Sequence, residues 1–306
     1  MAKIITTVNM KGGVGKTTLT VNLAACLAKY HQQRVLVVDI DTQVSATLSL
    51  MSPQKFAEIR RSGRTLSQLI KQSLYQDARL NLSIQELIQE SICKLPNLDL
   101  LPGDIELYDD FLVSEILHHR ALLQPGMNFQ AVWQRFEQKF VAGILDPILA
   151  NYDFIILDCA PSYNLLTRSA LLASDFYLLP CRPEPLSIVG TQLLERRINQ
   201  LRKLYNNPQN NPQINQQVMR SQLLGIVFVA ASSNILNMYY NQVMRRVNDD
   251  FLPDQLFKTK IPLDMNVAKA VDSFMPAVLI NPNSSGSKAF IKLAEEVVQK
   301  LMTPYK

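Results

Sequence analysis

The 306-residue sequence has no run of about 18 consecutive apolar residues, so no helix in it is expected to span a bilayer. It is also poor in metal- and disulfide-forming side chains, with four cysteines and three histidines. Cys26, Cys93, Cys159 and Cys181 lie far apart with no CxxC pair and no Cys/His cluster, which argues against a disulfide framework, a zinc site or an iron–sulfur site. A reducing cytoplasm is the expected compartment. There is no Gly/Ser-rich tract and no long single-sign charge run, so disorder is not expected. The first apolar run, IITTV, has no basic leader and flows straight into a glycine loop, so it reads as a strand and not as a signal peptide.

What is present is an ordinary globular composition, 47% hydrophobic and 19% charged, with a net charge of +5. That charge permits contact with nucleic acid or acidic lipid and demands neither. Four β-branched runs stand out: KIITTV, RVLVVDID, DFIILD and LLGIVFV, with NLDLLPG and DFYLLPC as shorter candidates. Runs this apolar, separated by helix-like stretches, predict parallel strands buried on both faces. The expected fold is therefore α/β: a mostly parallel twisted sheet between two layers of helices, forming one domain over 1–306. Within it, 51–149 reads as mostly helical and the Asn/Pro/Gln-rich stretch 204–217 as a polar loop.

The chemistry concentrates in NMKGGVGKTT, from Asn9 to Thr18. A phosphate loop is G-x-x-x-x-G-K-[ST], in which backbone N–H groups and a helix N-terminus cradle phosphate while the lysine reaches the outer phosphates. Gly15, Lys16 and Thr17 satisfy its end, Met10 stands where the first glycine belongs, and Lys11 is a surplus cation. A nucleotide site also needs acids at strand ends that hold Mg²⁺ directly or through water. Asp158 ends FIILD, Asp39 ends RVLVVD, and Asp41 follows two residues later. One such aspartate would be an ordinary turn residue; three beside a phosphate loop point to a metal–nucleotide site.

KGGVGKTT, DIDTQ and DCAPS, in this order and at these separations, resemble the deviant-Walker ATPases of the ParA/MinD group. LLPCRPEPLSIVG and IPLDMNVAKAVDSFMPAVLINPNSSGSKAF extend the resemblance over most of the chain. The resemblance implies a P-loop NTPase fold, ATP and Mg²⁺ as cofactors, and slow, partner-stimulated ATP hydrolysis. It implies that the phosphate loop (Lys11, Gly12, Gly13, Val14, Gly15, Lys16, Thr17 and Thr18) holds nucleotide, with Lys16 on the β/γ-phosphates and Thr17 on the metal. Asp39 would stand behind the metal, Asp158 would be the Walker B acid, and Asp41 would orient the attacking water or the switch. Adenine contacts fall by resemblance on Arg182, Pro183 and the segment near Pro262. Lys11 is the signature lysine, which in the family reaches the nucleotide of the opposite subunit and makes an ATP-dependent homodimer. Departures from the family pattern are Thr42 for a proline, Ala160 for a proline, Leu263 for an arginine and Lys269 for a glutamate.

The function this implies is a partition-type positioning ATPase, cytoplasmic and nucleoid-associated. Its ATP dimer would bind nonspecific DNA, and a ParB-like or McdB-like adaptor on a cargo would stimulate hydrolysis. Plasmids, chromosomes and carboxysomes, the last by the McdA type, are all cargoes of such proteins. Candidate DNA contacts are the basic residues Arg196, Arg197, Arg202, Lys203, Arg245, Arg246, Lys258 and Lys260, where dimerisation would double a weak contact set. No helix-turn-helix stands before the phosphate loop, which argues against operator binding. The alternative is a MinD-like membrane-cycling ATPase. Its anchor would have to be KAFIKLAEEVVQKLMTPYK, whose apolar spacing fits a helix packed on the core better, so no stable membrane anchor is expected. Metabolic relatives, of the amidotransferase or reductase kind, would need substrate machinery that His31, His118 and His119 do not form and a cysteine pair that is missing.

Overall fold

The computed structural model describes residues 1–75, 82–107, 109–123, 128–207, 218–231, 247 and 251–302. Seven strands pair in the order β3-β2-β4-β1-β5-β6-β7, and every pairing between them is parallel. They are β1 (Lys3–Thr7), β2 (Val35–Ile40), β3 (Leu98–Leu101), β4 (Phe154–Cys159), β5 (Phe176–Cys181), β6 (Gln222–Ala231) and β7 (Ile261–Pro262). The six longer strands coincide with the apolar runs of the sequence. All side chains of β2, β4 and β5 are buried, as strands covered by helices on both faces require.

Two apolar clusters form, one on each face of the sheet. One face carries α1 (Lys16–Tyr30), α2 (Ser45–Leu50), α3 (Pro53–Arg61) and, from the end of the chain, α10 (Met265–Ala270), α11 (Ala277–Ile280) and α12 (Ser285–Met302). The other carries α4 (Leu66–Tyr75), α5 (Ile84–Leu87), α6 (Asp110–Leu123), α7 (Phe129–Leu145), α8 (Leu165–Ala173) and α9 (Pro185–Asn206). The described residues of 51–149 are thus mostly helical, with β3 as the one strand among them. Of the polar stretch 204–217, Leu204 to Asn206 complete α9, and 208–217 lie outside the described residues.

Helix α1 is buried almost all round, from Leu19 to Ala28, because it lies between the sheet and α12. The apolar stripe of α12, Phe290, Leu293, Ala294 and Val297, recurs at i, i+3, i+4 and i+7 and is fully buried. Burying each of its large members contributes about 1.5–3 kcal/mol. That stripe is the one a membrane anchor would need, and the core already uses it. Among the described residues no helix is long and apolar enough to cross a membrane.

Candidate functional site: a phosphate loop over three buried carboxylates

Strand β4 lies between β1 and β2, so the carboxyl ends of the three central strands open onto one crevice, where ligands of open α/β sheets bind. The register sets Asp39 of β2 directly beside Asp158 of β4, and Thr7 of β1 on the other side of Asp158. The loop after β1 runs over this edge and turns into α1. Gly15 makes the turn with a left-handed backbone (φ 89°), and a Cβ there would stand 2.8 Å from Val229 of β6, so both conformation and packing demand glycine. Met10 packs against the apolar core, which explains a side chain where a general phosphate loop has glycine. Asn9 is fully buried; its Oδ1 accepts from Lys11 N at 2.9 Å and its Nδ2 donates to Pro180 O at 2.8 Å, tying the loop to β5.

Below the loop the charges are arranged in depth. Thr17 Oγ1 donates to Asp158 Oδ2 at 2.7 Å, and Thr20 Oγ1 donates to Oδ1 at 2.9 Å. Burial pushes the Asp158 carboxyl up to about 6, against these hydrogen bonds and the neighbouring Lys16. Asp39 is raised further, to about 7, by burial and by the charge of Asp158. Its Oδ2 accepts from both Thr47 N (2.8 Å) and Thr47 Oγ1 (2.7 Å), and its Oδ1 accepts from Asp41 N (3.2 Å). Gly103 donates its N–H to Thr47 Oγ1 at 3.0 Å, and a Cβ on Gly103 would meet Asp39 O at 2.8 Å, so this glycine lets the chain after β3 close over the acid. Lys16 is buried, its Nζ donates to Lys11 O at 3.3 Å, and burial lowers its pKa although Asp158 and Asp41 pull it back up.

A cleft of about 490 Å³ stands above these acids. It is lined by Gly12, Gly13, Gly15, Lys16, Thr17 and Thr18 on one side and by Asp41 and Gln43 with α2 on the other, closed by Pro161 and Val271. The structure therefore brings together the phosphate loop, Asp41, Asp39 and Asp158 as the motifs predict. Val14 is buried beneath the loop. Arg182, Pro183 and Pro262 sit at the carboxyl ends of β5 and β7 on the same edge but outside this cleft. Lys11 also points away from it, its Nζ lying 3.1 Å from Glu184 Oε2.

Over residues 2–215 the chain matches the AAA domain family. It is 31% identical to the sporulation initiation inhibitor protein Soj of Bacillus subtilis, across 97% of this chain and 98% of that protein. The chain belongs to the ParA/MinD/Soj family of ATPases. It is also 26% identical to the chromosome partitioning protein ParA of Caulobacter vibrioides, across 97% of this chain and 94% of that one. Among solved structures its fold matches McdA from Cyanothece, a variant of which is solved in complex with ATP, with a TM-score of 0.70, 17% identity and coverage of 100% and 98%. Three of the four positions that depart from the ParA/MinD pattern lie on the surface of this ParA/MinD/Soj ATPase, and none of the four lines the cleft. Thr42, Leu263 and Lys269 are exposed and Ala160 is half-buried.

Of the candidate DNA contacts, Arg196, Arg197 and Lys203 are exposed on α9. Arg202 is half-buried and donates to Asn199 Oδ1 and, at 2.9 Å, to Ser221 O. Lys258 and Lys260 are exposed on the segment leading to β7, and Arg245 and Arg246 lie outside the described residues. Sequence reasoning missed Asn9, Thr20, Thr47, Gly103, Glu184 and Val271. The signal for Asn9 and Thr20 was their place immediately beside the glycine loop, whereas the others reach the site from distant segments.

Proposed function

We propose that the chain is an ATP-dependent dimerising ATPase that binds DNA without sequence preference as an ATP sandwich dimer. It positions a cargo, a DNA molecule or a protein-shelled organelle, through an adaptor that stimulates hydrolysis. One observation carries the reading: Lys16, the one buried ammonium among the described residues, faces the cleft beside three buried carboxylates, Asp39, Asp41 and Asp158. The excess negative charge suits a divalent cation entering with a triphosphate. Mg²⁺ keeps waters and phosphate oxygens among its ligands, so a carboxylate and a hydroxyl from the chain are enough to hold it beside a triphosphate. Thr17 would hold the metal with Asp158, and Asp39 would support it from below. The ion would neutralise charge developing on the transferred phosphoryl group.

The residues of the chain then divide the remaining work. Lys16 binds the outer phosphates, the loop N–H groups and the α1 N-terminus hold the others, and Asp41, on the opposite wall, orients the attacking water. Lys11 serves the partner's nucleotide, so loss of the γ-phosphate dissolves the dimer. Arg196, Arg197 and Lys203 contribute phosphate contacts from each subunit, and the site of action is the cytoplasm at the nucleoid. The membrane-cycling alternative is disfavoured by the burial of the α12 stripe against α1.

The test is DNA binding measured with ATP, with ADP and without nucleotide, over a salt series. Binding should require ATP and fall steeply with salt. It should be lost in Lys16→Ala, which no longer holds nucleotide, and in Lys11→Ala, which still does. Binding that is independent of ATP or flat in salt would overturn the reading.

A further inference from the structure

Helices α4, α6 and α7 enclose a cavity of about 550 Å³ that shares no residue with the nucleotide cleft. Its floor is apolar, built from Leu117 of α6 with Val132, Phe136 and Phe140 of α7. Its polar rim is cationic: Arg120 of α6 and Arg135 and Lys139 of α7, with no acidic residue among the described residues of the lining. Arg135 and Lys139 stand one helical turn apart on the same exposed face, a like-charge spacing that disfavours the helix when nothing compensates it. Neither forms an ion pair among the described residues, and Arg120 donates only to main-chain carbonyls, those of Ser73 and Leu74. The nearest carboxylate in sequence, Glu137, does not neutralise them: it is fully buried and taken by Arg168 at 2.8 Å and by Tyr205. Beyond Arg120 lies a second cavity of about 480 Å³, and there Glu115 shares the lining with Arg120 and His119, so among the described residues it lacks the all-cationic rim of the first.

We propose that the cavity between α4, α6 and α7 binds an amphipathic organic anion, its charged head held by Arg120, Arg135 and Lys139 and its apolar body laid on Leu117, Val132, Phe136 and Phe140. The head is a carboxylate, sulfonate or phosphate, which a guanidinium engages in a bidentate manner. The body is a short alkyl chain or an aryl group, since the volume lies in the range of sites for single small molecules and the floor is concave. A concave apolar floor is the wrong shape for a nucleic-acid backbone, which needs a row of cations on an open face. The site is independent of the proposed DNA and nucleotide functions, and occupancy would tie together three helices on one flank of the sheet.

The experiment uses the full chain saturated with Mg·ADP, so that the nucleotide cleft is filled, and follows the fluorescence of anilinonaphthalene sulfonate, an aryl sulfonate probe. Binding should be saturable and one-to-one, and dodecanoate should displace the probe. Arg135→Glu with Lys139→Glu, both exposed and therefore compatible with folding, should weaken the probe at least about tenfold while leaving ADP affinity and thermal unfolding unchanged. N-phenylnaphthylamine, the same aryl body without the sulfonate, should bind at least about tenfold more weakly. Unchanged affinity in the double variant, equal binding of the neutral probe, non-saturable binding, or displacement by a short DNA duplex as effective as by dodecanoate would each overturn the proposal.

Discussion

Lys11 Nζ lies 3.1 Å from Glu184 Oε2 in the same chain, and Glu184 Oε1 lies 3.2 Å from Arg182 Nε, so one carboxylate serves two cations at the carboxyl edge of the sheet. Lys11 is thus paired in cis when the chain is alone. Both partners are more than a third exposed, 37% and 44%, and such a pair is worth only about 0–1 kcal/mol. In the proposed dimer a triphosphate presented by the second subunit would carry more charge than one carboxylate and would draw Lys11 away. Glu184→Gln should therefore lower the protein concentration needed for the ATP-dependent dimer, by no more than about fivefold. Light scattering with ATP would check this, and a variant that dimerises less readily than the parent chain would contradict it.

Thr47 connects two segments that meet over Asp39. Its hydroxyl donates to Asp39 and accepts from Gly103, while its N–H donates to Asp39 as well. Thr47→Val keeps the shape and the main-chain bond but removes the hydroxyl, leaving Gly103 N without its acceptor. A hydrogen bond to a charged group contributes about 1.5–3 kcal/mol, so ATP turnover should fall roughly tenfold or more and thermal stability should drop. Turnover equal to that of the parent chain would show that Asp39 needs no such support.

The acids under the loop also set a pH dependence of stability. Asp39 at about 7 and Asp158 at about 6 are raised above the ordinary value of 3.8, by burial and, for Asp39, by the neighbouring charge. A carboxyl with a raised folded-state pKa stabilises the fold fully only below its unfolded-state value. That contribution disappears as the pH rises through the folded-state values. The nucleotide-free chain should therefore melt at a higher temperature near pH 6 than near pH 8, and Mg·ATP should reduce the difference by supplying positive charge to the same acids. A calorimetric series with the midpoint rising toward pH 8 would contradict this assignment.

The strands were legible wherever a β-branched run was long enough to be seen, and β7 was not, because Ile261–Pro262 is too short to show a period and includes a residue that cannot donate to a ladder. The phosphate loop, Asp39, Asp41 and Asp158 were legible because strand ends and motif spacing place them. Glu184 was not, since 173 residues separate it from Lys11 and only the adjacency of β1 and β5 brings them together. Thr47 and Gly103 were hidden for the same reason, one on α2 and one after β3, meeting over Asp39. The cationic cavity required the crossing of α6 and α7, which no helical period predicts.

Val44 reaches α2 through a left-handed backbone, φ 50° and ψ 32°, although it is β-branched and buried. That conformation costs a residue with a Cβ about 1–2 kcal/mol, and here it directly follows Asp41 and Gln43 of the cleft wall, joined by a 2.9 Å bond from Val44 N to Asp41 O. Val44→Ala gives up the packing of the side chain and keeps the strained backbone. Val44→Gly gives up the same packing and removes the strain, at an entropic cost of about 0.5–1 kcal/mol. At an ordinary buried helix position alanine is the more stable of the two replacements; at this one the order should reverse, with the glycine variant ahead by up to about 1 kcal/mol in denaturant unfolding. The glycine variant should also turn over ATP more slowly, because the turn that fixes Asp41 against the cleft is no longer restricted to one conformation. Alanine proving the more stable replacement would mean that the turn relaxes freely and that Asp41 is held by its hydrogen bonds alone.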